Sequence, residues 1–334
     1  MSSPTIICLT PVKNEAWILD RFLKCTSLWA DYIIVADQNS TDNSREIAQK
    51  YPKVTLIENP SATYNEQERQ KILIEAARKI PVSGKRLLIA LDADEFFVGH
   101  TESKEWDTIL QAPVGTSLWF QWANVLPNME KYYAPNFHLL FGYMDDGKEH
   151  QGNLIHSPRL PTDKLENRIL FSQIKVLHYQ YTDWERMKSK HRWYQCLERI
   201  KNPQRSAIDI YRQYHHMDVP VTDTNQMPSS WFGTYENAGI DMTSILREKN
   251  YWWDKEVLDF FDKYGIQTFA KEAIWDVDWN NQYQLCFQEN PKIDLSDPRT
   301  RLEKWAHNWL QSTQVNPYTF KAKVINKWLK ASGW

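Results

Sequence analysis

The sequence predicts an α/β protein with a mainly parallel sheet flanked by helices and a helical C-terminal extension, the division falling near residue 200 (1–200 and 201–334). Three observations carry that expectation. Short β-branched apolar runs alternate with helical patterns up to Leu91. The runs are continuously apolar, as strands buried on both faces are. Each also breaks into polar residues on its C-terminal side, where open sheets of this type bind ligands.

The elements follow in order. Thr5–Leu9 leads into the loop Thr10-Pro11-Val12-Lys13-Asn14-Glu15 and a helical pattern with Trp17, Ile18, Phe22, Leu23 and Leu28 on one face. Asp31–Ala36 breaks into Asp37-Gln38-Asn39-Ser40-Thr41-Asp42, where Ser40, Thr41 or Asp42 is placed to cap a short helix. Lys53–Glu58 precedes a helix from Asn65 to Lys79, and Arg86–Leu91 is the fourth strand. Ser117–Val125 and Lys175–Gln180 are later strand-like runs. Beyond these the pattern turns helical: Trp184–Leu197, a polar helix at Asn202–His216, then Met242–Asn250, Lys255–Tyr264, Pro298–Ser312 and Thr319–Lys330, with Asp218–Gly239 as a loop.

The fourth strand ends in Asp92-Ala93-Asp94. If the strand continues, alternate side chains share a face, so the two carboxylates project together and can hold one cation. A hard divalent ion takes oxygen ligands from one or two carboxylates and completes its shell with substrate phosphates. A solvated strand end explains such a pair equally well when it stands alone; convergence of three polar loops on one sheet edge makes it a candidate site. Arg69, in the preceding helix, is placed to reach a pyrophosphate or a sugar. Lys188, Lys190, His191 and Arg192 offer cations for a leaving diphosphate. The chain has neither G-x-G-x-x-G after the first strand nor G-x-x-x-x-G-K-[ST] anywhere, so a dinucleotide oxidoreductase and a P-loop ATPase are unsupported.

Taken together, Pro11-Val12-Lys13-Asn14-Glu15, Asp37 to Ser44 and Leu91-Asp92-Ala93-Asp94-Glu95-Phe96 resemble the family 2 glycosyltransferases, with their nucleotide-diphospho-sugar transferase fold of type A. The resemblance covers about the first hundred residues. It implies that the first two loops hold the nucleoside: Glu15 and Asp37 accept hydrogen bonds from base and ribose, Pro11 shapes the first loop, and Asn14 and Asn39 belong to the donor-binding loops. Asp92 and Asp94 would flank the ribose edge and the metal. A histidine downstream of the D-x-D completes coordination in many members; His178 resembles it, with His156 as competitor. A nitrogen ligand suits Mn2+ as well as Mg2+. The implied reaction moves a sugar from a nucleotide-diphosphate donor, a UDP-sugar being commonest in the family, to a carbohydrate or lipid-linked acceptor with inversion. That outcome needs a carboxylate base, for which Asp145, Asp146 and Glu149 are the candidates, although a turn on Asp146-Gly147 explains both aspartates without catalysis. A sugar-1-phosphate nucleotidyltransferase would carry a Gly-rich phosphate loop after the first strand, and Pro11–Glu15 has no glycine. A silent carbohydrate-binding protein of the same fold is disfavoured by the intact D-x-D.

Composition sets the remaining bounds. With 334 residues and 42% hydrophobic content the chain can bury one large core or a core plus a helical subdomain. A formal charge of −2 argues against a nucleic-acid partner. Cys8, Cys25, Cys196 and Cys286 lack zinc or redox spacing, and no apolar run or leader marks a span or a secretory signal; the expectation is a cytoplasmic protein with reduced thiols. Among 16 tryptophans, Trp119, Trp122 and Trp231 (with Phe232) are candidates for an acceptor groove, core filling being the alternative. The last helix combines Lys321, Lys323, Lys327 and Lys330 with Phe320, Val324, Trp328 and Leu329, a pattern suited to peripheral contact with an anionic membrane or to docking on the catalytic domain.

Overall fold

Four apolar runs form the parallel heart of one sheet in the computed structural model, which describes residues 3–61, 64–100, 103–162, 167–219, 223–248 and 250–334. They are β1 (Thr5–Val12), β2 (Tyr32–Asp37), β3 (Val54–Glu58) and β4 (Arg86–Ala90), in the order β3-β2-β1-β4. The helices between them are α1 (Leu19–Ser27), α2 (Ser44–Ala48) and α3 (Glu66–Arg78). Strand alternation splits the core in two. Ile6, Cys8, Ile33, Val35, Leu87 and Ile89 pack with Phe22 and Leu23 of α1, whereas Ile7, Leu9, Ile34, Ala36, Leu88 and Ala90 pack with Leu73, Ile74 and Ala77 of α3. Each fully buried aliphatic side chain contributes about 1.5–3 kcal/mol. Asn65 caps α3 by accepting from the Glu68 N–H at 3.1 Å, worth about 1 kcal/mol.

The sheet continues past β4. Further on come β5 (Glu95–Val98), α4 (Glu105–Gln111), β6 (Ser117–Val125), β7 (Lys131–Tyr133), β8 (Leu139–Met144), β9 (Arg168–His178) and β10 (Asn225–Gln226). β8 lies antiparallel between β4 and β6, and β7 and β10 extend that edge. β9 runs parallel to β6 and takes β5 antiparallel on its other side.

Two expectations are corrected. Within Asp218–Gly239, read as loop, lies α7 (Ser230–Asn237), which buries Trp231, Phe232 and Tyr235; residues 220–222 are outside the described residues. Met242–Asn250, read as helix, is irregular throughout its described residues, with residue 249 outside them. The Asp241 carboxylate accepts from the N–H groups of Thr243 at 2.8 Å and Ser244 at 3.2 Å, a local alternative to the helix ladder. Tyr179 further fixes the segment by donating to the Met242 carbonyl at 2.6 Å.

The chain divides into two compact units, Met1–Thr182 with Asp223–Arg247 and Asp183–Thr222 with Glu248–Trp334. The expected division at residue 200 falls instead inside α5 (Trp184–Lys201). The second unit is helical, with α6 (Ala207–Tyr214), α8 (Trp252–Tyr264), α9 (Trp279–Phe287), α10 (Arg301–Ser312) and α11 (Phe320–Ala331). Phe261 is its aromatic centre, 5.4 Å from the Trp275 ring and 5.1 Å from Trp279. Buried Arg192 is paired with Asp254 at 3.2 Å and with Asp276 at 3.1 Å. Among the described residues no helix is long and apolar enough to cross a membrane. All four cysteines are unpaired thiols, three of them buried.

Candidate functional site

Strand register brings three loops to one edge of the sheet. Val12 is level with Asp37, Leu9 with Ala90, and the Leu91 N–H donates to the Leu9 carbonyl at 3.1 Å. The loops after β1 and β2 and the turn after β4 therefore open on the same carboxyl edge, the ligand-binding side of such sheets.

The first two loops are laced together. Asn14 has a left-handed backbone (φ 55°) and donates its N–H to Ser40 Oγ at 2.9 Å. Its Oδ1 accepts from the N–H groups of Thr41 at 2.7 Å and Asp42 at 3.3 Å. The N–H groups of Glu15 and Ala16 donate to Ser44 Oγ and Asp42 Oδ2, both at 2.9 Å. Asn14, expected at the donor, is thus engaged in holding the loops together. Asn14→Ala will cost about 2–4 kcal/mol, combining lost acceptors with a strained left-handed residue. Asn14→Gly will cost about 1–2 kcal/mol less, because glycine takes that backbone without strain; equal urea midpoints for the two variants would remove the strain contribution.

Glu15 keeps a carboxylate at the loop mouth, accepting from Trp17 Nε1 at 2.6 Å, and Pro11 lies in the last paired residues of β1, level with Ala36. Asp37 is only 1% exposed. Its Oδ2 accepts from Arg45 at 2.8 Å and from the Ser40 N–H at 3.3 Å, while Oδ1 has no hydrogen-bond partner among the described residues. A buried carboxylate oxygen in that condition calls for a donor, which a ribose or base would bring. Asn39, exposed and with φ 52°, shapes the same turn. Arg69 lies in the first turns of α3, its guanidinium 5.5 Å from the Tyr64 ring.

The D-x-D differs from its expected geometry. β4 stops at Ala90, and Asp92 to Asp94 form the turn into β5, so strand alternation does not put the two carboxylates together. Asp92 Oδ2 accepts from Arg159 at 2.9 Å, whereas Asp94 Oδ2 lies 3.6 Å from His178 Nε2. Among the described residues no three His, Cys, Asp or Glu side chains are grouped to hold a metal. The expected ligand set Asp92, Asp94 and His178 is therefore not assembled; it is split by Arg159.

Arg159 and Glu95 are the residues that the sequence reading missed. Glu95 is fully buried and level with His178 across β5 and β9. Its carboxylate accepts from both terminal nitrogens of Arg159, one of them at 2.9 Å, from Trp122 Nε1 at 2.7 Å and from the Asp92 N–H at 2.8 Å. Arg159 also donates to the Ala90 carbonyl at 3.3 Å and lies 4.8 Å from the Phe141 ring. Burial opposes the guanidinium charge, but Asp92 and Glu95 outweigh it and hold the group above its ordinary value. Burial likewise pushes the Glu95 carboxyl up, against the pull of Arg159 and with the push of Asp92.

His178 is oriented from behind. Its Nδ1 lies 3.2 Å from Asn124 Oδ1, and its ring stacks on Trp122 at 4.7 Å. Asn124 Nδ2 donates to the Tyr133 carbonyl, and its Oδ1 also accepts from Gln180, which identifies Oδ1 as the acceptor. A neutral His178 then donates through Nδ1 and turns the Nε2 lone pair toward the Asp94 carboxylate. Two facing acceptors need a cation between them, a proton or a metal ion; an imidazole fixed through its far nitrogen is how metal-ligating histidines are held. Asp94 and His178 thus suit a divalent ion. His178, rather than His156, occupies this position.

The expected base candidates lie at the opposite end of the sheet. Asp145 donates its N–H to the Arg86 carbonyl at the amino end of β4, about 20 Å along the strand from Asp92. Arg78 and Arg86 bind its buried carboxylate at 2.7 and 3.3 Å. Asp146 accepts from the Lys148 N–H at 3.0 Å, and the Lys148 carbonyl is held by Arg78, so exposed Glu149 follows on that same side. None of the three base candidates is placed to reach the carboxyl edge. Lys188 belongs to the second unit and pairs with Glu185 at 3.1 Å. Trp231 and Phe232 are core, while Trp122 proves to be part of the site's own floor.

A parallel sheet whose first, second and fourth strands deliver their loops to an acidic turn has the ligand-binding edge of open α/β sheets. Residues 7–103, which hold all three motifs, match the model of glycosyl transferase family 2. Among solved structures, the chain is similar to glucosyl-3-phosphoglycerate synthase from Mycobacterium tuberculosis in complex with phosphoglyceric acid, at 21% identity over 28% of this chain and 34% of that one (TM-score 0.22). It is also similar to 4-diphosphocytidyl-2C-methyl-D-erythritol synthase, at 12% identity over 43% and 76% of the two chains (TM-score 0.28). A third is HddC from Yersinia pseudotuberculosis, at 10% over 42% and 73% (TM-score 0.23). The chain spans about a third of the length of the mycobacterial synthase. Curated proteins gave no match.

Proposed function

We propose that this chain is a nucleotide-sugar-dependent glycosyltransferase, moving a sugar from a nucleoside-diphosphate donor, a UDP-sugar foremost, to a hydroxyl of a carbohydrate or lipid-linked acceptor. The observation that supports it best is the meeting of the Asp37 loop, the Glu15 loop and the Asp94–His178 pair at one carboxyl edge. Asp37 offers its unsatisfied oxygen to the nucleoside, with Glu15 beside it. Asp94 and His178 would hold Mn2+ or Mg2+, which supplies charge stabilisation to the leaving diphosphate. Asn124 and Trp122 orient the imidazole, and Glu95 with Arg159 fixes the turn that carries both aspartates. An inverting displacement needs a base at the carboxyl edge, and Asp145 cannot serve while two arginines hold it at the opposite end.

Thermal unfolding with nucleoside diphosphates, with and without MnCl2, tests this reading. UDP at a hundred times its dissociation constant will stabilise the protein by roughly 2.7 kcal/mol, and manganese will tighten that binding. A flat response to every nucleoside diphosphate at millimolar concentration sinks the reading. Release of pyrophosphate from a nucleoside triphosphate and a sugar phosphate would instead indicate a nucleotidyltransferase.

A further inference from the structure

We infer that the outward face of α10 and α11 is a docking surface for an anionic lipid bilayer. α11 has two apolar edges, and the fold uses only one. Ala322 and Leu329 are fully buried, with Ile325 packed beside them against the second unit's core. At about 100° per residue, Phe320, Val324 and Trp328 form a separate stripe on the roughly opposite side of the helix. They are 85%, 52% and 53% exposed. Trp305 of α10, 44% exposed, meets the Trp328 ring edge to face at 6.2 Å, and Tyr318 in the connecting turn is 78% exposed. Large rings in this number have no structural reason to face water, and contiguous exposed apolar patches mark interaction sites.

Charge identifies the occupant. Lys321 flanks the stripe on one side, its ammonium 5.7 Å from the Trp309 ring, and Lys323 and Lys327 flank it on the other. From Lys304 to Trp334 the chain has five lysines and no aspartate or glutamate, although its overall charge is −2; Lys304 and Lys330 are paired with Asp297 and Asp209, and Lys321, Lys323 and Lys327 are the three that rim the stripe. Lysines are depleted from the centres of protein interfaces. Lysines rimming aromatic residues instead suit a helix lying in the headgroup layer, with rings at the acyl boundary, lysine stems along the apolar surface and ammonium groups at lipid phosphates. The inference does not rest on the transferase reading.

Co-sedimentation of the full chain with vesicles tests it. The protein will pellet with phosphatidylcholine vesicles containing roughly one-third phosphatidylglycerol at low salt, and weakly with pure phosphatidylcholine, because the basic rim responds to surface potential. Phe320→Ser/Trp328→Ser will abolish pelleting. Lys323→Gln/Lys327→Gln, exposed changes that leave packing alone, will weaken it by about tenfold or more and flatten its salt dependence. Circular dichroism and thermal midpoints confirm that each variant is folded; if the serine variant is not, the glutamine variant decides. Failure of the parent to bind anionic vesicles, or parental binding by the glutamine variant, overturns the inference. So does a parent that sediments as a dimer, becomes monomeric in the serine variant and ignores vesicles, since the face then belongs to a second copy.

Discussion

Arg159→Met will destabilise the first unit by about 3–5 kcal/mol near neutral pH, the range for removing one partner of a buried ion pair. The loss comes chiefly from Glu95, which is fully buried and receives both ends of the guanidinium. Without Arg159 its carboxylate keeps only the Trp122 and Asp92 N–H donors. The pH dependence has a definite sign. Burial already raises Glu95 above its ordinary value, and Arg159 is the main influence pulling it down, so the variant raises it further. A carboxyl with a raised folded-state value favours the folded state fully below its unfolded value, and loses that contribution as pH rises through the folded value. The deficit of the variant relative to the parent will therefore be largest at pH 8 and shrink toward pH 5. Urea titrations at both ends measure it, and an identical deficit at each would show that Glu95 does not bear the cost.

If the proposed transfer holds, Asp94→Asn will reduce cation-stimulated donor hydrolysis by at least about a hundredfold while leaving the unfolding midpoint nearly unchanged, because it would remove charge where that reading puts the leaving diphosphate. The substitution is nearly isosteric, and the Asp94 carbonyl, which accepts from the Tyr179 N–H at 2.9 Å, is retained. Hydrolysis of UDP-sugars with and without manganese reads the effect. Undiminished activity would take the Asp94–His178 pair out of the chemistry, whereas a lowered midpoint would make the pair structural.

The parallel half of the sheet was legible because strands buried on both faces are written as unbroken apolar runs, and β1 to β4 lie close to where those runs predict. Of the other half, β6 and the end of β9 were legible and the rest was not. β5 and β7 are short, and the Phe96-Phe97 pair of β5 reads as an appendage of the D-x-D. Missing β8 had a direct cost: its antiparallel course carries the chain back to the amino edge, which is why Asp145 ends beside Arg86. Asn14 shows a different limit. The motif pointed Asn14 at the donor, and the structure turns it to the loop after β2; spacing cannot tell a side chain facing a ligand from one facing the neighbouring loop. Arg159 gave no local signal, since its partners Asp92 and Glu95 are more than sixty residues away. Glu95 stood inside the quoted motif, but its need for a cation comes from its burial, which spacing does not show.

The stitching of the β1 and β2 loops through Asn14, Ser40, Asp42 and Ser44 also limits how this protein can be re-engineered or diversified. The two segments behave as a single casting, so neither can be recut while the other stays in its old form. Transplants that exchange both segments as a set preserve the mould, and transplants of one leave unmatched amides on the other.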